Sequence, residues 1–202
     1  MRASYNTISS DTTSVTLTPV ITILGGLSMR LSSILLFVAC FLVVTLAPLP
    51  AGGGDPLVKY HLTSGEIAHL NRIEDSHIYG KGQELTSIYD GGVNKYLKAG
   101  VVEASQFYYI RGRNSAEMVV LHLKSAKHAQ AFYSQWKKEM GKGYTAIQFS
   151  KSQPASGVTY VQQGATYGFA CVNAYMITTT LDCKDANLAA DMMKRSVAKI
   201  LH

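Results

Sequence analysis

The chain has 202 residues, 19 basic and 13 acidic side chains, a net charge of +6 at pH 7 and 47% hydrophobic residues. Once an N-terminal leader is set aside, that length leaves room for one ordinary domain and not two. The basic excess is scattered, with small pairs at Lys137-Lys138 and Lys194-Arg195, and lacks the dense basic face interleaved with aromatics that nucleic-acid binding requires; a solvated basic surface, weakly attracted to an anionic envelope, fits better.

Residues 1–28 are polar and rich in serine and threonine apart from one apolar run, and read as a mis-assigned or disordered leader. Met29-Arg30 opens a second beginning, MRLSSILLFVACFLVVTLAPLPA, with a basic start, an apolar run and small or proline residues to Ala51. That layout makes residues 29–51 a signal peptide or a membrane anchor. The apolar run over 34–47 is 14 residues, short of the about 20 that span a bilayer, which argues for cleavage after Ala51, although Leu49 is larger than signal peptidase prefers. Lipidation at Cys40 is a third reading, against which Phe37-Val38-Ala39 is a poor lipobox. The expected location is exported: periplasmic, secreted, or anchored on the outer side of the inner membrane, with membrane contact only through the N-terminal segment if it stays uncleaved. Residues 52–56 (Gly52-Gly53-Gly54-Asp55-Pro56) form a linker and 57–202 a single globular α+β domain.

From 57 to 81 the pattern is weak: a short strand at LVKYHL, then a turn or short helix from Ser64. His61, His69 and His77 recur every eight residues, which is about 80° out of phase on a helix and gives no i, i+4 ligand pair; no metal is expected. Leu85, Tyr89, Gly92 and Tyr96 fall at steps of four, three and four, predicting an amphipathic helix over 84–99. Gly91-Gly92 inside it cost about 1 kcal/mol each relative to alanine, so a kink, a break or a close backbone contact is expected there. Gly100 ends the helix.

Two strands follow, with Val102, Ala104, Tyr108 and Ile110 on one face of the first and Val119, Leu121 and Leu123 on one face of the second, joined through Gly112-Arg113-Asn114. Met118 and Val120 on the other face of the second predict a central strand covered on both sides. Ser125 caps a helix whose apolar positions are Ala129, Phe132, Tyr133, Trp136 and Met140.

The run Ile88-Tyr89-Asp90-Gly91-Gly92-Val93-Asn94-Lys95-Tyr96-Leu97-Lys98-Ala99-Gly100, followed by a tyrosine-bearing strand, a second strand and a helix, resembles an uncharacterised bacterial secreted-domain family with a Tyr-x-Gly-Gly-small-x-x-Tyr-Leu motif. The likeness covers roughly residues 84–135; Val93 stands where the family favours alanine. It implies an exported globular domain and no activity.

Beyond the Trp136 helix, strands are predicted over 144–149, 158–162, 167–172 and 175–181, the last two joined by an Asn173-Ala174 turn, and a final helix capped by Asp185 buries Ala189, Met193, Val197 and Ile200. The whole predicts an α+β fold: a mainly antiparallel sheet of five or six strands flanked by helices, similar in outline to the α/β/α sandwiches of secreted, photosystem-associated proteins. Cys171 and Cys183 are the cysteines left after signal removal. An exported pair invites a disulfide worth about 3 kcal/mol, yet a tight turn at 173–174 sets Cys171 opposite Met176 and leaves Cys183 beyond the paired region; a bridge and two buried thiols both stay open.

No G-x-S-x-G, H-E-x-x-H, P-loop or G-x-G-x-x-G motif is present, and no catalytic residue, metal or cofactor is assigned. All tyrosines but Tyr5 lie after Ala51, and Tyr108 and Tyr109 must point to opposite faces. The expected function is an exported, non-catalytic domain binding a ligand or an envelope protein, with Tyr89, Asp90, Gly91, Gly92, Tyr96 and Tyr109 as binding residues. The alternatives are an envelope hydrolase using a carboxylate such as Asp90 and a structural component of a surface assembly.

Overall fold

The computed structural model describes residues 54–89 and 92–202. The leader, the signal or anchor segment, Cys40, Asp90 and Gly91 lie outside the described residues.

Seven strands form one antiparallel sheet: β1 (Asn71–Lys81), β2 (Val101–Arg111), β3 (Asn114–Leu123), β4 (Tyr144–Ala146), β5 (Ser156–Gln162), β6 (Ala165–Val172) and β7 (Tyr175–Leu181). Their spatial order is β1-β2-β3-β7-β6-β5-β4, so two meanders, β1 to β3 and β4 to β7, meet where β3 pairs with β7. Helices α1 (Val93–Ala99), α2 (Ala126–Met140) and α3 (Ala186–Leu201) complete the α+β fold. Among the described residues no helix is long and apolar enough to cross a membrane.

The alternation of β3 fixes the layers. Met118 and Val120, in register with Phe107 and Ser105 of β2 and with Thr179 and Ile177 of β7, face one core. That core is closed by Leu188, Ala189, Met192, Met193 and Val197 of α3 and by Leu62, Ile67 and Leu70 of the N-terminal segment. Val119 and Leu121, in register with Thr178 and Met176, face the other, which α1, α2 and a 3-10 turn over Gly82–Ser87 cover. The two long helices begin as their sequences dictate: Ser125 Oγ accepts from the His128 N–H at 3.4 Å, and Asp185 Oδ1 accepts from the Leu188 N–H at 2.8 Å.

Several sequence expectations are corrected. The sheet has seven strands, not five or six, because β1 is a full strand where a turn or short helix was expected. Its alternation is hidden by a bulge between Ile73 and Ile78 that resets which side chains face inward, and as an edge strand it is buried on few positions. LVKYHL is a 3-10 turn over Val58–Tyr60, and the strand predicted over 144–149 stops at Ala146. The helix predicted over 84–99 is broken: the 3-10 turn ends at Ser87 and α1 begins at Val93, with Gly92 as its N-cap. Cys171 and Cys183 are free thiols. Cys171 is buried in the α2-side core while Cys183 packs against the α3-side core, so the sheet itself lies between the two sulfurs.

Gly100 joins α1 to β2 at φ 92°, its N–H donating to Leu97 O at 3.0 Å. A Cβ there would sit 2.7 Å from Cδ2 of His128. Gly100→Ala therefore costs about 1–3 kcal/mol through left-handed strain and overpacking, and circular-dichroism melts should show Tm lowered by about 3–10 °C. Reductant, by contrast, should leave Tm of the unmodified protein unchanged, because Cys171 and Cys183 are not bridged.

Candidate functional site

Between the sheet and the α1/α2 layer the packing is incomplete. A partly enclosed cavity of about 190 Å3 is left there, walled by Tyr89, Tyr96 of α1, Phe132 and Trp136 of α2, Tyr167 and Phe169 of β6, and by Glu117, Val119, Leu121, Thr178 and Thr180 of β3 and β7. An adjoining groove of about 250 Å3 shares Trp136, Tyr167 and Phe169 and runs outward past Glu139, Met140, Tyr160 and Gln162.

The rings brace one another. Tyr89 stacks on Tyr96 with centroids 3.5 Å apart and planes 14° off parallel, and Tyr96 meets Phe132 edge to face at 5.6 Å. Phe132 meets Trp136 at 6.1 Å, and Trp136 stacks on Phe169 at 5.1 Å. Phe132 and Trp136 are four apart on α2 and so share a face. Tyr167 and Phe169 are two apart on β6 and do the same. The Nζ of Lys95 lies 4.5 Å from the Trp136 centroid and 3.0 Å from Glu139 Oε2. Trp136 is thus held both by the Phe169 ring and by the Lys95 ammonium.

Beside the hydroxyls of Thr178, Thr180, Tyr96 and Tyr167, three polar groups of this lining stand out. The Tyr89 hydroxyl and the Trp136 Nε1–H are buried with no hydrogen-bond partner among the described residues. Native interiors pair such groups or hydrate them. Burial pushes the Tyr89 phenol well above its ordinary value and that of Tyr96 to about 12, with Glu117 adding to both. Glu117 is the one charged side chain of the wall. Its own carboxyl is pushed up by burial, opposed only by a hydrogen bond from Tyr108, and among the described residues no cation pairs with it.

Glu103, on the opposite face of the sheet, shows what a satisfied acid looks like here. Burial raises its pKa, but hydrogen bonds from Tyr79 and His122 outweigh that and hold it below the usual carboxylate range, with the Lys81 Nζ at 3.7 Å.

A second cluster has the composition of a nucleophilic triad and the wrong geometry. His77 Nε2 lies 2.7 Å from Asp55 Oδ2, and the Ser105 hydroxyl donates to that same oxygen. In a serine relay the acid holds Nδ1 while Nε2 receives the serine proton; here Nε2 faces the acid and fully buried Ser105 has given its hydrogen away. The cluster instead pins the start of the domain, since Asp55 Oδ1 also accepts the Leu57 N–H at 2.7 Å. Among the described residues no three His, Cys, Asp or Glu side chains converge to hold a metal.

Of the sequence-predicted site residues, Tyr89 and Tyr96 come together in the cavity. Gly92 caps α1 without lining it, and Asp90 and Gly91 lie outside the described residues. Tyr109 belongs elsewhere: it is fully buried in the α3-side core, where its hydroxyl donates to Leu62 O at 3.3 Å. Period-two alternation sends it there and Tyr108 to the cavity side. The sequence reading missed Glu117, Tyr167 and Phe169, and took Phe132 and Trp136 as ordinary helix core. A signal for Glu117 existed: it shares the inward face of central β3 with Val119 and Leu121, a position that calls for an apolar residue.

No family model matches the chain, and no curated protein matches it. A solved structure, the extracellular domain of PknH from Mycobacterium tuberculosis, is similar at a TM-score of 0.48 and 13% identity, over 70% of this chain and 92% of that one.

His61 lies beside the Asp55 cluster, fully buried, with Nε2 3.2 Å from Ser105 O. Burial drives its pKa from 6.5 down to about 3, against the pull of Asp55 and the Ser105 carbonyl. A lowered histidine pKa means that the unfolded chain binds the extra proton first. The stability it lends is therefore full above pH 6.5 and drains as pH falls toward 3. Urea titrations between pH 7 and 4 should find that His61→Gln removes about 1.4 kcal/mol per pH unit from the slope of unfolding free energy.

Proposed function

We propose that this chain is an exported, non-catalytic domain that binds a small ligand in the cavity between the sheet and helices α1 and α2. The observation that carries this reading is the pair of buried donors, Tyr89 O–H and Trp136 Nε1–H, left without partners in a cavity walled by aromatic rings. A buried donor with no acceptor costs about 1–3 kcal/mol, so a site that keeps two of them is stabilised by whatever supplies the acceptors. Sites that recognise small molecules combine this same apolar wall with a few convergent polar groups. Catalysis finds less support, because among the described residues the wall holds a single carboxyl, Glu117, and no second acid, histidine or cysteine beside it. The export half of the proposal rests on the signal-like stretch at 29–51, and membership of the uncharacterised secreted-domain family on the motif at 88–100.

Native mass spectrometry of the protein recovered from its host's envelope or medium should give the mass of the chain from Gly52 plus a small-molecule adduct. Tyr89→Phe keeps the ring and removes one donor, Trp136→Phe removes the other and leaves a smaller aromatic ring, and each should weaken retention of that adduct by about tenfold. Ile110→Ala, at the exposed far end of β2, should leave it unchanged. An adduct indifferent to both donor substitutions would refute the site, and a protein free of any adduct would count against ligand binding.

A further inference from the structure

We infer, building on the ligand-binding reading above, that the group seated in the cavity is a small alkylammonium cation, held by the aromatic walls and neutralised by Glu117. The charge balance of the site points there. Glu117 is the one charged residue of the wall, no cation among the described residues pairs with it, and it is partly buried beside the rings that line the cavity. A carboxylate in such surroundings gains far more from an opposite charge than one at the surface does. Aromatic faces add an attraction for a cation with an apolar coat, and it strengthens when water is excluded. The ring cluster already holds one ammonium in this way, the Nζ of Lys95 over the ring of Trp136. That lysine is balanced by Glu139, so it neither neutralises Glu117 nor sets a net positive charge at the mouth.

Size supports the same class. The cavity, at about 190 Å3, falls below the usual range of whole-ligand pockets, which begins near about 300 Å3. It suits a head group such as trimethylammonium, with the rest of the ligand lying in the adjoining groove past Tyr160 and Gln162. The titratable groups that face Glu117 are the phenols of Tyr89 and Tyr96 from the α1 side, Tyr108 from β2 and Tyr167 from β6. None of them is a cation or a second acid. Burial pushes the Glu117 carboxyl up, and a bound cation favours its ionised form, so binding releases a proton and strengthens as pH rises through the Glu117 titration.

The test uses choline, whose charge does not titrate, and its neutral carbon isostere 3,3-dimethylbutan-1-ol, each titrated against the fluorescence of Trp136, the single tryptophan. Choline should bind about tenfold or more tighter than the isostere at pH 7 and weaken as pH is lowered. Glu117→Gln, which removes an unpaired, partly buried charge and so should melt no lower than the parent protein, should erase the pH dependence and most of the preference while leaving binding of the isostere unchanged. Equal affinity for the two probes, or a choline preference undiminished by Glu117→Gln, would overturn the cationic assignment while leaving the cavity reading intact. If neither probe perturbs Trp136 at millimolar concentration, the cationic assignment falls, and the adduct experiment decides separately whether the cavity binds anything.

Discussion

The two-sided burial of β3 is the constraint on which the rest of the molecule depends. Successive side chains of this strand enter two different cores, and from Met118 to Leu121 all are buried to the last few per cent. A strand like that must be central and must be covered on both faces. The α3 side is closed by a helix of small and flexible residues, Ala189, Met192, Met193 and Val197, which interdigitate with Ala170 and Ile177. Methionine fills irregular gaps well. On the other side the cover is built from Tyr89, Tyr96, Phe132 and Trp136. These are large, flat and rigid, and they pack edge to face and ring on ring with one another. Flat rings propped against each other hold their spacing where a methionine would collapse inward. The cavity is the result of covering one half of a two-faced sheet with side chains that cannot deform to fill it.

That difference between the faces explains how Glu117 is tolerated. On the α3 side an acid in the sheet, Glu103, is met by Tyr79, His122 and Lys81, so its charge is answered. On the α1/α2 side Glu117 has only Tyr108. Fully packed, such a position would force the carboxyl into contact with hydrocarbon at a cost of several kcal/mol. The open volume beside it relieves this cost by admitting something polar. Cavity and acid are thus two aspects of one local arrangement, and the unpartnered Tyr89 and Trp136 donors belong to it as well.

Much of the fold was legible in the sequence because it rests on local chemistry. Ser125 and Asp185 announce helices by their side-chain oxygens, Gly100 by its need for positive φ, and Asn173 by the turn that pairs Val172 with Tyr175. The alternation of β2 and β3 was visible for the same reason and placed Tyr108 and Tyr109 on opposite faces. Where the sequence misled, the cause was non-local. The inward set of β1 changes phase at its bulge, so no single period runs along it. Cys171 and Cys183, close in sequence, are separated by the thickness of a sheet whose faces can only be assigned once β3 is known to lie beside β7. The site suffered most, since its wall is drawn from α1, α2, β3, β6 and β7, and no spacing within one element reveals that their rings converge.

The glycine pair shows how a local rule and a tertiary demand combine at this site. An unbroken helix over 84–99 would carry Tyr89 and Tyr96 seven residues apart, on nearly the same face but about 10 Å apart along the axis. Their rings could then cover two separate patches of sheet and could not stack. In the folded chain their centroids are 3.5 Å apart, which requires the chain to leave the helical path between them. The regular structure does stop there, ending at Ser87 and resuming at Val93 behind Gly92. Gly92 therefore sits where the continuous amphipathic stripe must be interrupted, and the interruption turns two helix-core tyrosines into the doubled aromatic wall that bounds the cavity on its α1 side.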